Sequence, residues 1–374
     1  MSNPKPRLFV GRGHLDDDKT RRWRTEIDDE QQCASLIAQG RMDNPADYSA
    51  DPGLVDAMNV ALLLGRPLLL TGRPGTGKSQ FADRAAWEFD LAPVLRFEAQ
   101  SISEARDLFY TFDMVGRMAA AQPGADAGRA DAERFVTLAA LGKAVVYSKP
   151  LAGANAQTAT AERPGAAAAG IRLDPAHPAP LHGRASVVLI DEIDKASRDF
   201  PNDLLNAIER FSFEIPELEG RRFEAARTPD TRPIVIITSN SERELPEPFL
   251  RRCVFYNIPD PTPQTLARIV AARVLSPGDG SAPPAELPTL FRELVECFVA
   301  YRKKAGREVV FAPGTSELID LARVVAADGE AQPDEPLRHD ANVASARRAA
   351  SAVAKGKGDA DAFVDHLGKW TQPP

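Results

Sequence analysis

Cysteine is scarce in this chain. Its 374 residues hold three, Cys33, Cys253 and Cys297, odd in number and far apart. That excludes a disulfide framework or a cysteine-built metal site, and it fits a reducing compartment. The five histidines are equally scattered, with no metal-ligand spacing. Long apolar runs are missing: the longest are about five residues, against roughly 20 needed to cross a bilayer. The opening stretch, MSNPKPRLFVGRGHLDDDK, holds no apolar segment of signal-peptide length. The expectation is a cytoplasmic protein without membrane contact. A surplus of positive charge is lacking too. The net charge is −7, which gives no global reason to expect nucleic-acid binding.

What is present is enough chain for two or three domains, and at 43% hydrophobic it can bury a real core. Residues 1–50 are polar, with acidic runs, and read as a partly helical N-terminal extension. VDAMNVALLLG (55–65) has helical apolar spacing and ends at a glycine. PLLLT (67–71), PVLRF (93–97), VVLID (187–191), PIVIIT (233–238) and VFYNI (254–258) read as strands. Near-continuous apolar strands separated by helical patterns predict a parallel sheet covered on both faces. SEARDLFYTFDMVGRMAAA (103–121) reads as a helix. Residues 122–133 and 148–186 are rich in Ala, Gly and Pro and read as a flexible insertion without packed structure. FEIPELEGRRFEA (213–225) reads as a hairpin. After Pro259, four segments with helical spacing predict a smaller helical domain. The expected organisation is an extension (1–50), a core (51–260) and a helical region with a C-terminal tail (261–374).

TGRPGTGKS (71–79) fits G-x-x-x-x-G-K-[ST] through Gly72, Gly77, Lys78 and Ser79. It follows a predicted strand and opens the helical pattern SQFADRAAWEF, which is the context the motif requires. A bare glycine-rich turn would not need that context. Glycine lets successive backbone N–H groups turn inward around phosphate oxygens, and the following helix adds its positive end. Gly72, Pro74, Gly75, Thr76, Gly77, Lys78, Ser79 and Gln80 are the candidate nucleotide-binding residues. Lys78 would reach the β- and γ-phosphates, and Ser79 would ligate Mg²⁺.

VVLIDEIDKA (187–196) places a buried strand before two acids. Its end delivers Asp191 and Glu192 to the carboxyl edge of the sheet, where ligands sit in open α/β folds. Asp191 would hold Mg²⁺ directly or through water. Glu192 would act as general base on the attacking water. Asp194 either supports that site or caps the next helix. PIVIITSN (233–240) brings Asn240 to a position where it could bond the γ-phosphate or the water; a plain Asx turn is the other reading. Arg251 and Arg252 follow in ELPEPFLRRC (244–253). An arginine from a neighbouring subunit can stabilise transition-state charge, and a solvated basic pair is the alternative.

Together, TGRPGTGKSQ, VVLIDEIDKA, FPNDLLNAIERFSFEIPELEG, PIVIITSNSERELPEPFLRRCVFY and APGTSELIDLAR resemble the MoxR-type AAA+ ATPases. The resemblance runs from about residue 55 to about 327 and omits the extension, the insertion and the tail. It implies an α/β fold: an αβα core with a five-stranded parallel sheet in order 5-1-4-3-2, plus a smaller all-helical lid. It implies ATP and Mg²⁺ as ligands and a homo-oligomeric ring, usually a hexamer. It also implies a client or partner with a von Willebrand factor A domain. By position, Asn240 matches the sensor-1 residue, and Arg251 or Arg252 the arginine finger. One departure stands out. Phe311 and Ala312 occupy the place of the basic sensor-2 residue; Arg307, Arg347 and Arg348 are the substitutes on offer. Two rival readings use the same core. One is a nucleic-acid-linked or GTP-driven motor subunit, and the other is a ring that holds ATP as a structural ligand.

Overall fold

A computed structural model describes residues 45, 48, 50–89, 91, 93–120, 132–149, 183–226, 228, 231–240, 243–275, 284–308, 312–356 and 358–372. The chain forms two compact units, one spanning Ala50–Pro259 and one that includes Asp260–Pro374. Among the described residues no helix is long and apolar enough to cross a membrane.

The first unit is built on a five-stranded sheet. Its strands are β1 (Leu68–Thr71), β2 (Leu95–Glu98), β5 (Val187–Asp191), β8 (Ile234–Ser239) and β9 (Val254–Asn257), in spatial order β2-β5-β8-β1-β9. Every neighbouring pair is parallel. Counted along the sheet strands alone, this is the expected 5-1-4-3-2 order. The three central strands are buried almost throughout, while edge strand β9 alternates. Burial on both faces is why the central strands read as unbroken apolar runs. Helix α1 (Pro52–Leu64) opens at Asp51, whose carboxylate accepts the Gly53 N–H at 3.0 Å. It lies against β9 and β1 and buries Leu54, Met58 and Ala61, spaced for one helical face. Helix α2 (Lys78–Glu88) follows β1 and buries Phe81, Ala82, Ala85 and Ala86.

The segment 103–121 is not one helix. A 3₁₀ turn (Ala105–Leu108) leads into strand β3 (Tyr110–Phe112), and only then comes the short helix α3 (Met114–Ala120). Strand β4 (Val136–Leu138) pairs antiparallel with β3. The run Phe-Tyr-Thr-Phe favours strand over helix, and tertiary packing decides the matter. Phe213 stacks on Phe109 at 4.8 Å and on Phe223 at 5.0 Å, tying this segment to the hairpin β6 (Ser212–Ile215) and β7 (Arg221–Glu224).

Residues 132–149 carry elements with no counterpart among the sequence expectations. Helix α4 (Ala140–Tyr147) buries Leu141, Ala144 and Val145 against β2 and β5. Gly142 lets it lie on the backbone: a Cβ there would stand 1.9 Å from the Phe109 carbonyl oxygen. The described edges of the supposed insertion are packed as well. Ser148, Ala185 and Ser186 are buried, and Ser148 Oγ accepts the Ala226 N–H at 2.8 Å. Residues 121–131 and 150–182, where the flexible reading falls, lie outside the described residues. So does the N-terminal extension, apart from Pro45, Tyr48 and Ala50. Helix α5 (Phe200–Arg210) buries Phe200, Leu204, Leu205 and Ile208, and a short helix α6 (Glu247–Leu250) precedes β9.

The second unit is helical: α7 (Pro263–Val274), α8 (Thr289–Glu308), α9 (Thr315–Ala327), α10 (Asp340–Arg348) and α11 (Asp359–Trp370). Its core gathers Leu266, Phe291, Leu294, Phe298, Leu318 and Leu321. The C-terminal tail is part of that core. Phe363 and Leu367 of α11 are fully buried, and Tyr301 meets the Phe363 ring edge-on at 5.2 Å. The connection from α9 to α10 is held by buried Asn342. Its amide donates to the carbonyls of Gln332, Glu335 and Pro336 at 3.0–3.1 Å and accepts the Gln332 N–H at 2.7 Å. These bonds satisfy a buried amide and tie the connection to the start of α10.

Candidate nucleotide-binding site

The loop between β1 and α2 is shaped by three glycines with positive φ: Gly72 (142°), Gly75 (76°) and Gly77 (88°). Gly72 also passes close to β9; a Cβ there would meet the Ile258 carbonyl at 2.9 Å. Thr76 Oγ1 donates to the Arg73 carbonyl at 2.8 Å, closing the turn around Pro74. Gly77 begins α2 without a side-chain cap. A helix opened this way offers its first-turn N–H groups, here those of Lys78, Ser79 and Gln80, as candidate donors to an anion.

Lys78 lies inside the loop, only 7% exposed. Its Nζ donates to the carbonyls of Gly72 (2.8 Å) and Arg73 (2.9 Å). Burial lowers its pKa, and Asp191, Asp194 and Glu192 across the site partly offset that. The three acids keep an ammonium in a place where water alone would not solvate it.

The acids come from the end of β5. Asp191 Oδ1 accepts Ser79 Oγ–H at 2.8 Å and also the Thr238 hydroxyl. Glu192 adopts a left-handed backbone, φ 56° and ψ 48°. For a residue other than glycine such a conformation costs about 1–3 kcal/mol and persists only where its surroundings enforce it. Here its N–H donates to Thr238 Oγ1 at 2.9 Å. Its carboxylate accepts the Asn240 amide on Oε1 at 3.1 Å and pairs with Lys195 through Oε2. Asp194 is 3% exposed, and its Oδ1 accepts the Asn240 N–H at 3.2 Å. It does not cap α5, whose N-cap is Asp199.

The structure thus brings Lys78, Ser79, Asp191, Glu192 and Asn240 together at the carboxyl edge of β1, β5 and β8. It does not bring Arg251 and Arg252 there. Both precede β9, which runs parallel to β1 in the register Leu68↔Val254. They sit at the opposite edge, separated by four residues of strand, roughly 13 Å at about 3.3 Å each. Arg251 pairs with Glu247, and its carbonyl accepts from Arg66 at 3.5 Å. Arg252 lies 3.5 Å from Glu209. In the helical unit Arg348 is committed to Asp328 and Glu330, and Arg347 is exposed. The side chains of Arg307 and Phe311 lie outside the described residues.

Among the described residues no group of three or more His, Cys, Asp or Glu could hold a metal by itself. Ser79 and Asp191 fit magnesium of another kind. They offer converging hard oxygens, and that ion takes its other ligands from water and phosphates. Burial pushes the thiols of Cys253 and Cys297 up to about 12, so neither is a nucleophile at neutral pH. Two residues of the site carried no motif signal. Thr238 reads as one more position in an apolar strand, and Lys195 carries no reading of its own; only the folded geometry brings them onto Asp191 and Glu192.

A glycine cradle at the end of the first strand of a 5-1-4-3-2 sheet, faced by two acids from the third, defines a P-loop nucleotide-binding core. The family described as AAA domain (dynein-related subfamily) matches residues 67–253, half of the chain. The chain belongs to that family of AAA+ ATPases. No curated protein matches the chain. Among solved structures it is similar to a RuvB variant from Thermotoga maritima, at 13% identity and TM-score 0.35, covering 88% of this chain and 73% of that one. It is also similar to NtrX from Brucella abortus in complex with ADP, at 13% identity and TM-score 0.44, covering 94% and 75%. A third is Hsp104 with ATPγS and FITC casein, at 17% identity and TM-score 0.33, covering 59% of this chain and 35% of that one.

Proposed function

We propose that this protein is an ATP hydrolase of the MoxR type, working as a ring that remodels or assembles a partner protein in the cytoplasm. The observation that carries this is the split site: Lys78, Ser79, Asp191, Glu192 and Asn240 converge at one sheet edge, while Arg251 and Arg252 stand at the other. An arginine finger so placed can reach only the nucleotide of a neighbouring copy. The motif series quoted above supports the MoxR type and a partner with a von Willebrand factor A domain. Nucleic acid has no comparable support.

In this reading the N–H groups of the cradle and the Lys78 ammonium bind the β- and γ-phosphates. Ser79 and Asp191 would hold magnesium, which would supply positive charge to the phosphates. Asn240 holds both Glu192 and the attacking water in line. Glu192 accepts the proton of that water as its oxygen attacks the γ-phosphorus and the bond to the β-phosphate oxygen breaks. A neighbour's Arg251 or Arg252 meets the charge on the transferring group. Lys78→Ala and Arg252→Ala should each abolish turnover alone. Mixed in equal amounts they should recover roughly a quarter of wild-type turnover, since about one interface in four pairs an intact cradle with an intact arginine. Arg251→Ala in parallel decides which arginine acts. No recovery in verified mixed rings with either variant would reject the shared site.

A further inference from the structure

Thr238 has no phosphate-binding signature and belongs to the apolar run of β8, yet its hydroxyl bonds to both acidic residues of the site, Asp191 and Glu192. It is 1% exposed. Ile190 of β5 is aligned with Ile237 of β8, so the next residues, Asp191 and Thr238, stand side by side. The Thr238 hydroxyl donates to Asp191 Oδ1 and accepts the Glu192 N–H at 2.9 Å. Ser79 Oγ donates to the same Asp191 oxygen at 2.8 Å. One atom therefore ties the metal-side carboxylate to the backbone of the residue that bears the general base. Only a hydroxyl both donates and accepts at a single atom of this size. Valine has its shape and neither capacity.

We propose that Thr238 is the positioning residue of this centre. Through Asp191 it sets the oxygen offered to magnesium, and through the Glu192 N–H it holds the left-handed turn that aims the Glu192 carboxylate. The inference rests on the hydrolytic reading above and adds to it a residue that touches neither nucleotide nor water. It predicts that losing the hydroxyl uncouples magnesium from nucleotide without weakening the cradle, because Lys78 and the loop N–H groups do not depend on Thr238.

The test uses the full chain with Thr238→Val, Thr238→Ala and Thr238→Ser. Binding of a fluorescent ATP analogue is titrated with Mg²⁺, and phosphate release is measured on the same preparations. For Thr238→Val the Mg²⁺ concentration at half-maximal binding should rise roughly 10- to 100-fold, as for loss of other groups that orient metal ligands. Turnover should fall by a similar factor, while affinity without Mg²⁺ stays unchanged. Thr238→Ser should behave as wild type. If Thr238→Val fails to fold, Thr238→Ala carries the same expectation. Wild-type Mg²⁺ dependence in both, or a serine variant as impaired as valine, overturns the proposal. A wild-type chain that binds nucleotide with Mg²⁺ but releases no phosphate overturns hydrolysis instead, and the binding titration still decides the role of Thr238.

Discussion

Glu192→Gln isolates the proposed general base, because it changes charge and almost nothing else. Volume is conserved, and glutamine tolerates the left-handed backbone no worse than glutamate. The N–H bond to Thr238 stays, and Oε1 can still accept from Asn240. What is lost is the pair with Lys195, whose side chains are 44% and 26% exposed. An ion pair that open to water contributes at most about 1 kcal/mol. The thermal midpoint should therefore move by no more than about 2–4 °C for a unit of this size. Loss of a general base costs roughly 10²- to 10⁴-fold in rate, which is about 2.7–5.4 kcal/mol at 1.36 kcal/mol per tenfold. The chemical effect thus exceeds the structural one several times over. The assay combines phosphate release at saturating ATP, fluorescent nucleotide binding and a thermal melt on one preparation. Turnover should drop at least 10²-fold with affinity retained, and under the proposed remodelling function the stalled variant should hold its partner through a pull-down in ATP. Turnover within about tenfold of wild type would remove Glu192 from the role of base.

Two further outcomes concern the helical unit. Phe363→Ala should cost about 3–5 kcal/mol, the usual loss for a fully buried phenylalanine, read by thermal or chemical denaturation; a cost below about 1 kcal/mol would place α11 outside that core. Burial pushes the Glu317 carboxyl upward, but Lys355 and the backbone N–H of Gly314 outweigh it and hold the group below its usual 4.5. Its stabilisation is then complete above 4.5 and is lost as pH falls through the lowered folded value. The unit should weaken on acidification, and Lys355→Met should narrow the stability gap between neutral and acid pH. An unchanged gap in that variant would show that the Lys355 pairing does not set the acid sensitivity.

The cradle was legible because each of its requirements is local. A strand, glycines that can take positive φ, a lysine, a hydroxyl and a helix follow one another within a dozen or so residues. Asp191 and Glu192 were legible for the same reason, since a buried apolar run ends at them. Segment 103–121 misled because its helical spacing holds only in isolation. The pairing of Tyr110 with Leu138 and the stack on Phe213 come from residues distant in the chain. The C-terminal tail carried no structural expectation: DAFVDHLGKW mixes charged and apolar residues, and its two core residues become visible only in the folded unit, where Phe363 meets Tyr301.

By itself, then, the sequence determined the candidate residues: the glycine loop with Lys78 and Ser79, the acids Asp191 and Glu192, and the strands that carry them. These depend on residue type and near-neighbour spacing, which the order of amino acids states directly. The tertiary structure decided the alignments. Parallel register put Thr238 beside Asp191 and Asn240 against Glu192, and it sent Arg251 and Arg252 to the far edge of the same sheet. No local pattern encodes those placements, because each depends on which strand lies next to which.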